Sequence, residues 1–331
     1  MPEAVIVATA RSPIGRAFKG SLKEMRPDDL TVQMVRAALG KVPQLDPAEI
    51  DDLMLGCGLP GGEQGYNMAR VVAVLLGLDN VPGTTVTRYC SSSLQTTRMA
   101  FHAIKAGEGD VFISAGVECV SRFVKGSSDS LPDTQNPLFG QARARTAELA
   151  KGGTDWHDPR EDGELPDIYI EMGQTAENVA RLRGVTRKEQ DEFGVRSQNL
   201  AEKAIANGFW ETDITPVTLP DGTVVSKDDG PRPGTTYEKV AALQPVFRPD
   251  GTVTAGNASQ QNDAAAACLV VAEDALDRLG LEPIAYLRGW AAAGCHPRWH
   301  IVVTPNQNKK QKQKYDIFQF VSTRPQGRIW P

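Results

Sequence analysis

The sequence predicts an α/β layered protein, and three observations carry that expectation. Short β-branched runs alternate with segments of helical period through the first 116 residues. A long polar stretch rich in Gly, Pro, Asp and Ser then interrupts them. The alternation returns near residue 264. Strands that alternate with helices imply parallel pairings, with helices laid on the faces of the sheet.

Taken in order, residues 4–8 form a β-branched run followed by Arg-Ser-Pro turn chemistry. Residues 30–39 have helical spacing, and residues 51–57 form a short apolar segment. A helix is expected over 68–76, a strand over 84–88, a long helix over 92–106 and a buried strand over 111–115. The middle stretch reads as an inserted loop domain with polar helices over 175–183 and 186–207. Thr186 and Glu189 form a capping-box pattern at the head of the second. Apolar signals resume over 264–271, with a helix expected over 273–279 and a strand over 284–290. The expected organisation is therefore an α/β domain over 1–116, a loop domain with its return over 117–250, and the start of a second α/β unit over 251–295. Residues 296–331 contain an Asn/Gln/Lys run and read as a low-complexity, disordered tail.

Composition limits the function classes. The chain has 331 residues, 40% hydrophobic and 23% charged, which suits a globular protein with a large core. A net charge of −5 provides no basic field for nucleic acid. Neither a membrane-length apolar run nor a secretory leader pattern is read, so no membrane partner and a cytoplasmic location are expected. The 5 cysteines are widely spaced without a CxxC pair, which argues against a disulfide scaffold or a zinc site. The Gly-rich stretches do not follow a strand as a dinucleotide fingerprint does.

One segment carries chemistry. In TTVTRYCSSSLQ, residues 84–95, a strand leads into small polar residues and then a helix. This places Cys90 at a helix N-terminus, where unpaired N–H groups favour a thiolate and could hold an oxyanion. Cys57 and Cys268 read as buried packing residues, and the residues alone leave Cys119 open.

This segment resembles the nucleophile signature of the thiolases, and other stretches agree in the same order. They are PEAVIVATARSPIGRAFKGSL, GGEQGYNMARVVAVLLGL, SAGVECVS, EMGQTAENVA and PVFRPDGTVTAGNASQQNDAAAA. The resemblance implies the layered α-β-α-β-α thiolase fold, with its N-terminal half and inserted loop domain complete and its second half only partly present. It implies an acyltransferase that moves an acyl group between a cysteine and coenzyme A, by thiolysis of a 3-ketoacyl-CoA or the reverse condensation. Cys90 would be the nucleophile. Ser259 would contact the pantetheine part of coenzyme A, Met172 would line the acyl and pantetheine pocket, and Arg232 would stand near the adenine end. No metal or redox cofactor is implied, because coenzyme A is a substrate. A homodimer or homotetramer is implied, and degradation of fatty acids or sterol side chains is the expected setting.

Three further stretches of the family, Asn-Glu-Ala-Phe, Gly-His-Pro and Cys-x-Gly-Gly-Gly, do not occur in these residues. Cys295-His296-Pro297 is only superficially like the second. The expectation is a truncated or frameshifted second half. A missing general base costs about 10²–10⁴ in rate and a missing oxyanion donor about 10²–10³, so turnover would nearly vanish. The competing expectation is a chain that binds coenzyme A or a partner subunit without turnover. A ketoacyl synthase shares the fold, but the absence of its histidine pair argues against it.

Overall fold

The computed structural model describes residues 2–126, 131, 133–152, 157–290 and 292. Cys295, His296 and the tail over 296–331 lie outside the described residues. The elements are β1 (Ala4–Arg11), β2 (Gly15–Arg16), α1 (Pro27–Leu39), β3 (Asp52–Gly56), α2 (Met68–Leu75), β4 (Gly83–Val86), α3 (Ser92–Ala106) and β5 (Val111–Cys119). The inserted stretch holds α4 (Gly140–Ala150), α5 (Met172–Arg183), α6 (Arg187–Ala206), the small hairpin β6 (Val217–Thr218) and β7 (Val224–Val225), and α7 (Tyr237–Ala241). The chain returns through β8 (Asn262–Ala272), α8 (Leu276–Leu279) and β9 (Ala285–Tyr286).

Local chemistry accounts for the helix ends. Helix α1 opens on Pro27 with Asp28 and Asp29 in its first turn and carries Arg36 in its last, which complements the helix dipole at both ends. Thr186 and Glu189 close the expected capping box on α6. Gly107, at a φ of 74°, ends α3 in the left-handed conformation that a glycine reaches without a Cβ clash.

The main sheet runs β4-β3-β5-β8-β1-β9, with β2 added to β8. Strand β3 is parallel to β4 and β5, as the alternation predicts. Strand β8 is antiparallel to both β5 and β1, and β9 is antiparallel to β1. The parallel expectation therefore holds for one half of the sheet only. Parallel neighbours need a crossover connection, which the helices between the early strands supply. Strand β8 is reached through the long insertion and is free of that constraint. Strand β5 also runs past its expected end at residue 115 to Cys119, and the strand expected over 284–290 shortens to β9.

The two faces of the sheet are covered differently. Helices α1 and α2 pack together on one face, over fully buried Leu53, Leu55, Ile113 and Leu269. Helix α3 lies on the other, where Thr96 and Thr97 hydrogen-bond to Ser114 of β5 at 2.8 and 3.0 Å. Two glycines allow α3 to sit directly on the strands. A Cβ on Gly56 would stand 2.4 Å from the backbone of Ser92 and Ser93, and one on Gly116 would meet Ser93 Oγ at 1.7 Å.

Gly56→Ala is expected to lower stability by about 1–3 kcal/mol, because backbone must move to admit the methyl group. Gly140→Ala, whose Cβ meets nothing within 4 Å, should be neutral or stabilising by about 0.4–1 kcal/mol. Urea unfolding of the two variants beside the parent checks the ordering.

Candidate active site

The sharp passage from β4 to α3 presents Cys90. After β4 the chain makes a short 3-10 turn, Tyr89–Ser91, that runs directly into the helix. Tyr89 adopts a φ of 46°, in the left-handed region that non-glycine residues rarely enter. Such strain persists only where the surroundings impose it, and here the serines do so. Ser92 Oγ accepts from Arg88 N at 2.8 Å and donates to Tyr89 O at 2.6 Å, while Ser91 Oγ donates to Arg88 O at 3.0 Å. Ser91 is the N-cap residue, yet its hydroxyl turns back to Arg88 and makes no cap on the helix. Ser91 N and Ser92 N donate to Arg88 O and Tyr89 O within the turn, and the helical N–H groups after them have no side-chain cap from Ser91, close in sequence to exposed Cys90.

A polar floor supports this turn. Glu118, near the end of β5, accepts from Gly58 N at 2.6 Å and from Gln64 Nε2 at 2.6 Å. Gln64 in turn accepts from Cys119 N at 2.8 Å, and Thr87 Oγ1 donates to Gly58 O at 2.8 Å. A Cβ on Gly58 would come within 2.5 Å of Glu118 Oε2. Sequence reasoning missed Glu118 and Gln64. The available signal was a carboxylate near the end of an apolar strand, which must be hydrogen-bonded if it is to be buried.

The remaining cysteines are chemically quiet. Burial, followed by the Glu118 charge, pushes the Cys57 thiol up to about 12. Burial also pushes Cys119 well above its ordinary value, with the charge of Asp263 next in effect. For Cys268, burial raises the thiol to about 11 against hydrogen bonds from Ser114 and Thr97. The four described cysteines are free.

The other three expected site residues lie in or beside the insertion. Met172 is the first residue of α5 and is 51% exposed. Arg232 lines a cavity of about 290 Å³ together with Lys239, Val240, Leu243, Ala258 and Gln260. Ser259 is exposed and lies between the last two of these lining residues. The fold thus brings Arg232 to the turn that carries Ser259, while Cys90 and Met172 are outside that lining. Two buried groups join α5 to the segment 248–253 that leads into this turn. Glu177 accepts from Thr252 N at 2.9 Å and from Val253 N at 2.8 Å. Arg248 donates to Gln174 Oε1 at 2.7 Å and to Asn178 Oδ1 at 2.6 Å, and burial pushes its guanidinium below the ordinary value. Neither residue stood out in the sequence, where both look like helix-surface or loop charges.

Comparison with known proteins gives the family and the fold. The family profile "Thiolase, N-terminal domain" matches residues 4–274. A 3-ketoacyl-CoA thiolase of Bacillus subtilis is 40% identical over 310 residues, covering 90% of this chain and 73% of the relative. A beta-ketoadipyl-CoA thiolase of Pseudomonas knackmussii is 40% identical over 302 residues, covering 89% and 72%. Among solved structures, the acetyl-CoA acetyltransferase of Bacillus anthracis superposes with a TM-score of 0.73 at 35% identity, covering 90% of this chain and 73% of the other. The dimeric peroxisomal thiolase of Saccharomyces cerevisiae gives 0.72 at 31% identity, covering 86% and 68%.

Iodoacetamide at about pH 8 should label Cys90 at least about 100-fold faster than Cys57, Cys119 or Cys268, whose thiols are buried and scarcely ionised. Peptide mapping by mass spectrometry reads the order. Equal labelling of Cys57 would contradict the buried floor.

Proposed function

The chain belongs to the thiolase family, and from that premise we propose that it moves an acyl group between the Cys90 thiol and coenzyme A. The observation that carries this reading is the exposed Cys90 on a strained turn at the head of α3, a helix that its N-cap side chain does not cap.

The chemistry follows from that placement. The Cys90 sulfur attacks the 3-keto carbon of a 3-ketoacyl-CoA, and the N-terminal end of α3, with its positive end of the helix dipole, supports the negative oxygen that forms. The bond between C2 and C3 then breaks. Its electron pair leaves with acetyl-CoA, which takes up a proton at C2, and the shortened acyl group remains as a thioester on Cys90. Attack by the sulfur of a second coenzyme A, with loss of its proton, releases the shortened acyl-CoA and restores the thiol. The proton that leaves Cys90 and the one that reaches C2 both need an acid–base group. The family's histidine and second-cysteine stretches do not occur in residues 1–331, and Glu118 is already engaged by Gly58 and Gln64.

Arg232 and Lys239 would meet phosphates at the nucleotide end of coenzyme A, Ser259 its pantetheine arm and Met172 the acyl group. A 3-ketoacyl-CoA is the substrate class, in degradation of fatty acids or sterol side chains. The relatives named for 3-ketoacyl-CoA and beta-ketoadipyl-CoA span aliphatic and dicarboxylic acyl groups. A homodimer or homotetramer fits the dimeric yeast neighbour. No helix among the described residues is long and apolar enough to cross a membrane, and we place the activity in the cytoplasm. A second reading is binding of coenzyme A or of a partner subunit without turnover, favoured by the engagement of Glu118 by Gly58 and Gln64.

The test is cleavage of acetoacetyl-CoA and of a longer 3-ketoacyl-CoA by the purified chain in the presence of coenzyme A. The expected result is slow turnover, about 10²–10⁴-fold below that of a site with its own general base, that is lost in Cys90→Ala. Binding of coenzyme A with no turnover in the parent would establish the second reading, and Cys90-independent turnover would refute the first.

A further inference from the structure

The cavity beside Arg232 has walls from three stretches that are distant in sequence: residues 230–235, α7 with residues 242–243, and the turn over 254–260. Each stretch is tied to a single face of α6. Arg187, in its first turn, donates to the carbonyls of Val240, Ala241 and Leu243 at 3.2, 3.3 and 2.8 Å, and so caps the C-terminal end of α7. Asp191 is 1% exposed. It accepts from Asn257 Nδ2 at 2.8 Å and from Arg187 Nε at 2.7 Å. Asn257 passes this fixation on, accepting from Thr254 N at 2.8 Å and donating to Thr252 O at 2.9 Å. Gly194 allows the turn to touch the helix, since a Cβ there would stand 2.6 Å from the Gly256 carbonyl. Farther along, Gln198 Oε1 accepts from Arg232 N at 2.9 Å and Glu202 Oε2 from Gly234 N at 3.1 Å.

Positions 187, 191, 194, 198 and 202 recur at the three- and four-residue spacing that keeps side chains on one side of a helix. Of these, only Gln198 lines the cavity. The others hold the main chain of the walls, and the ligand-facing cations Arg232 and Lys239 ride on the segments they hold. Helix α6 contributes little else to the main core: Phe193 and Leu200, on its remaining surface, are exposed.

We propose that this face of α6, through Arg187, Asp191, Gly194 and Glu202, is the positioning element of the cavity and sets its affinity for coenzyme A through residues that do not line it. The proposal rests on the reading that the cavity takes the nucleotide end of coenzyme A. Buried Asp191 is the central joint, because it fixes the Asn257 turn and orients the arginine that caps α7. Glu202 is the outer joint, holding the Gly234 main chain behind Arg232.

Calorimetric titration of the full chain with coenzyme A tests this, using the parent, Arg232→Ala, Asp191→Ala, Glu202→Ala and Glu202→Gln. Circular dichroism verifies folding, and the Cys90 alkylation rate serves as a readout outside the insertion. Glu202→Ala should raise Kd by about three- to tenfold and Asp191→Ala by about tenfold or more, the range expected when a hydrogen bond that fixes a site is lost. Glu202→Gln keeps an acceptor for Gly234 N and should return Kd to within about twofold of the parent. Cys90 alkylation should stay unchanged in all variants. If Asp191→Ala does not fold, the Glu202 pair decides. Parent-like affinity in Glu202→Ala, with Arg232→Ala weakened, would overturn the positioning role and leave the cavity reading standing. A parent that does not bind, or an Arg232→Ala variant that binds as the parent does, would overturn both.

Discussion

Helix α3 meets the sheet at Gly56 of β3 and Gly116 of β5, and the position of Cys90 follows from that contact. A side chain at either glycine would run into Ser92 or Ser93. With both spaces open, the helix starts flush against the strands. The link from β4 must then turn within Arg88, Tyr89 and Cys90, and Tyr89 takes a left-handed backbone to make that turn. The serines answer the turn's own polar groups, and the N-cap Ser91 makes no side-chain cap on the helix. Glu118 and Gln64 hold the loop beneath, so the strain at Tyr89 is opposed by three buried or half-buried hydrogen bonds.

The insertion solves a separate problem by related means. It contributes few residues to the main apolar core, and its order comes from buried or half-buried charged groups that grip main chain. Glu177 collects the amides of Thr252 and Val253, Arg248 binds Gln174 and Asn178, and Asp191 joins Arg187 to Asn257. Removing one partner from such a group leaves a buried charge uncompensated, which costs more than the pair contributes. Close glycine contacts at Gly194, Gly251 and Gly256 let these grips form at short range. The result is a cavity whose walls are held from behind by a helix.

The legible parts of the chain were those whose signal is local. The strand runs at β1, β3 and β5, the capping box at Thr186 and the small-residue turn around Cys90 each depend on neighbours within a few positions. The direction of β8 was not legible, because it depends on what the chain does across the insertion. The grips at Glu177, Asp191 and Arg248 were invisible for a similar reason. On a helix or in a loop each reads as a solvated charge, and only the fold reveals that its partner lies far along the chain. Arg232 and the turn carrying Ser259 were picked out one by one from resemblance, and their meeting at one cavity came from the structure. Helix α5 begins at Met172, three residues before the start that its spacing suggests.

The central claim is that Cys90 accepts the acyl group. Its most direct measurement is the mass of the Cys90 peptide after brief mixing of the chain with acetoacetyl-CoA, without free coenzyme A, and an acid quench. The account predicts an acetyl group on Cys90 that disappears when coenzyme A is added. An unmodified Cys90, or an acetyl group on any other residue, would contradict it.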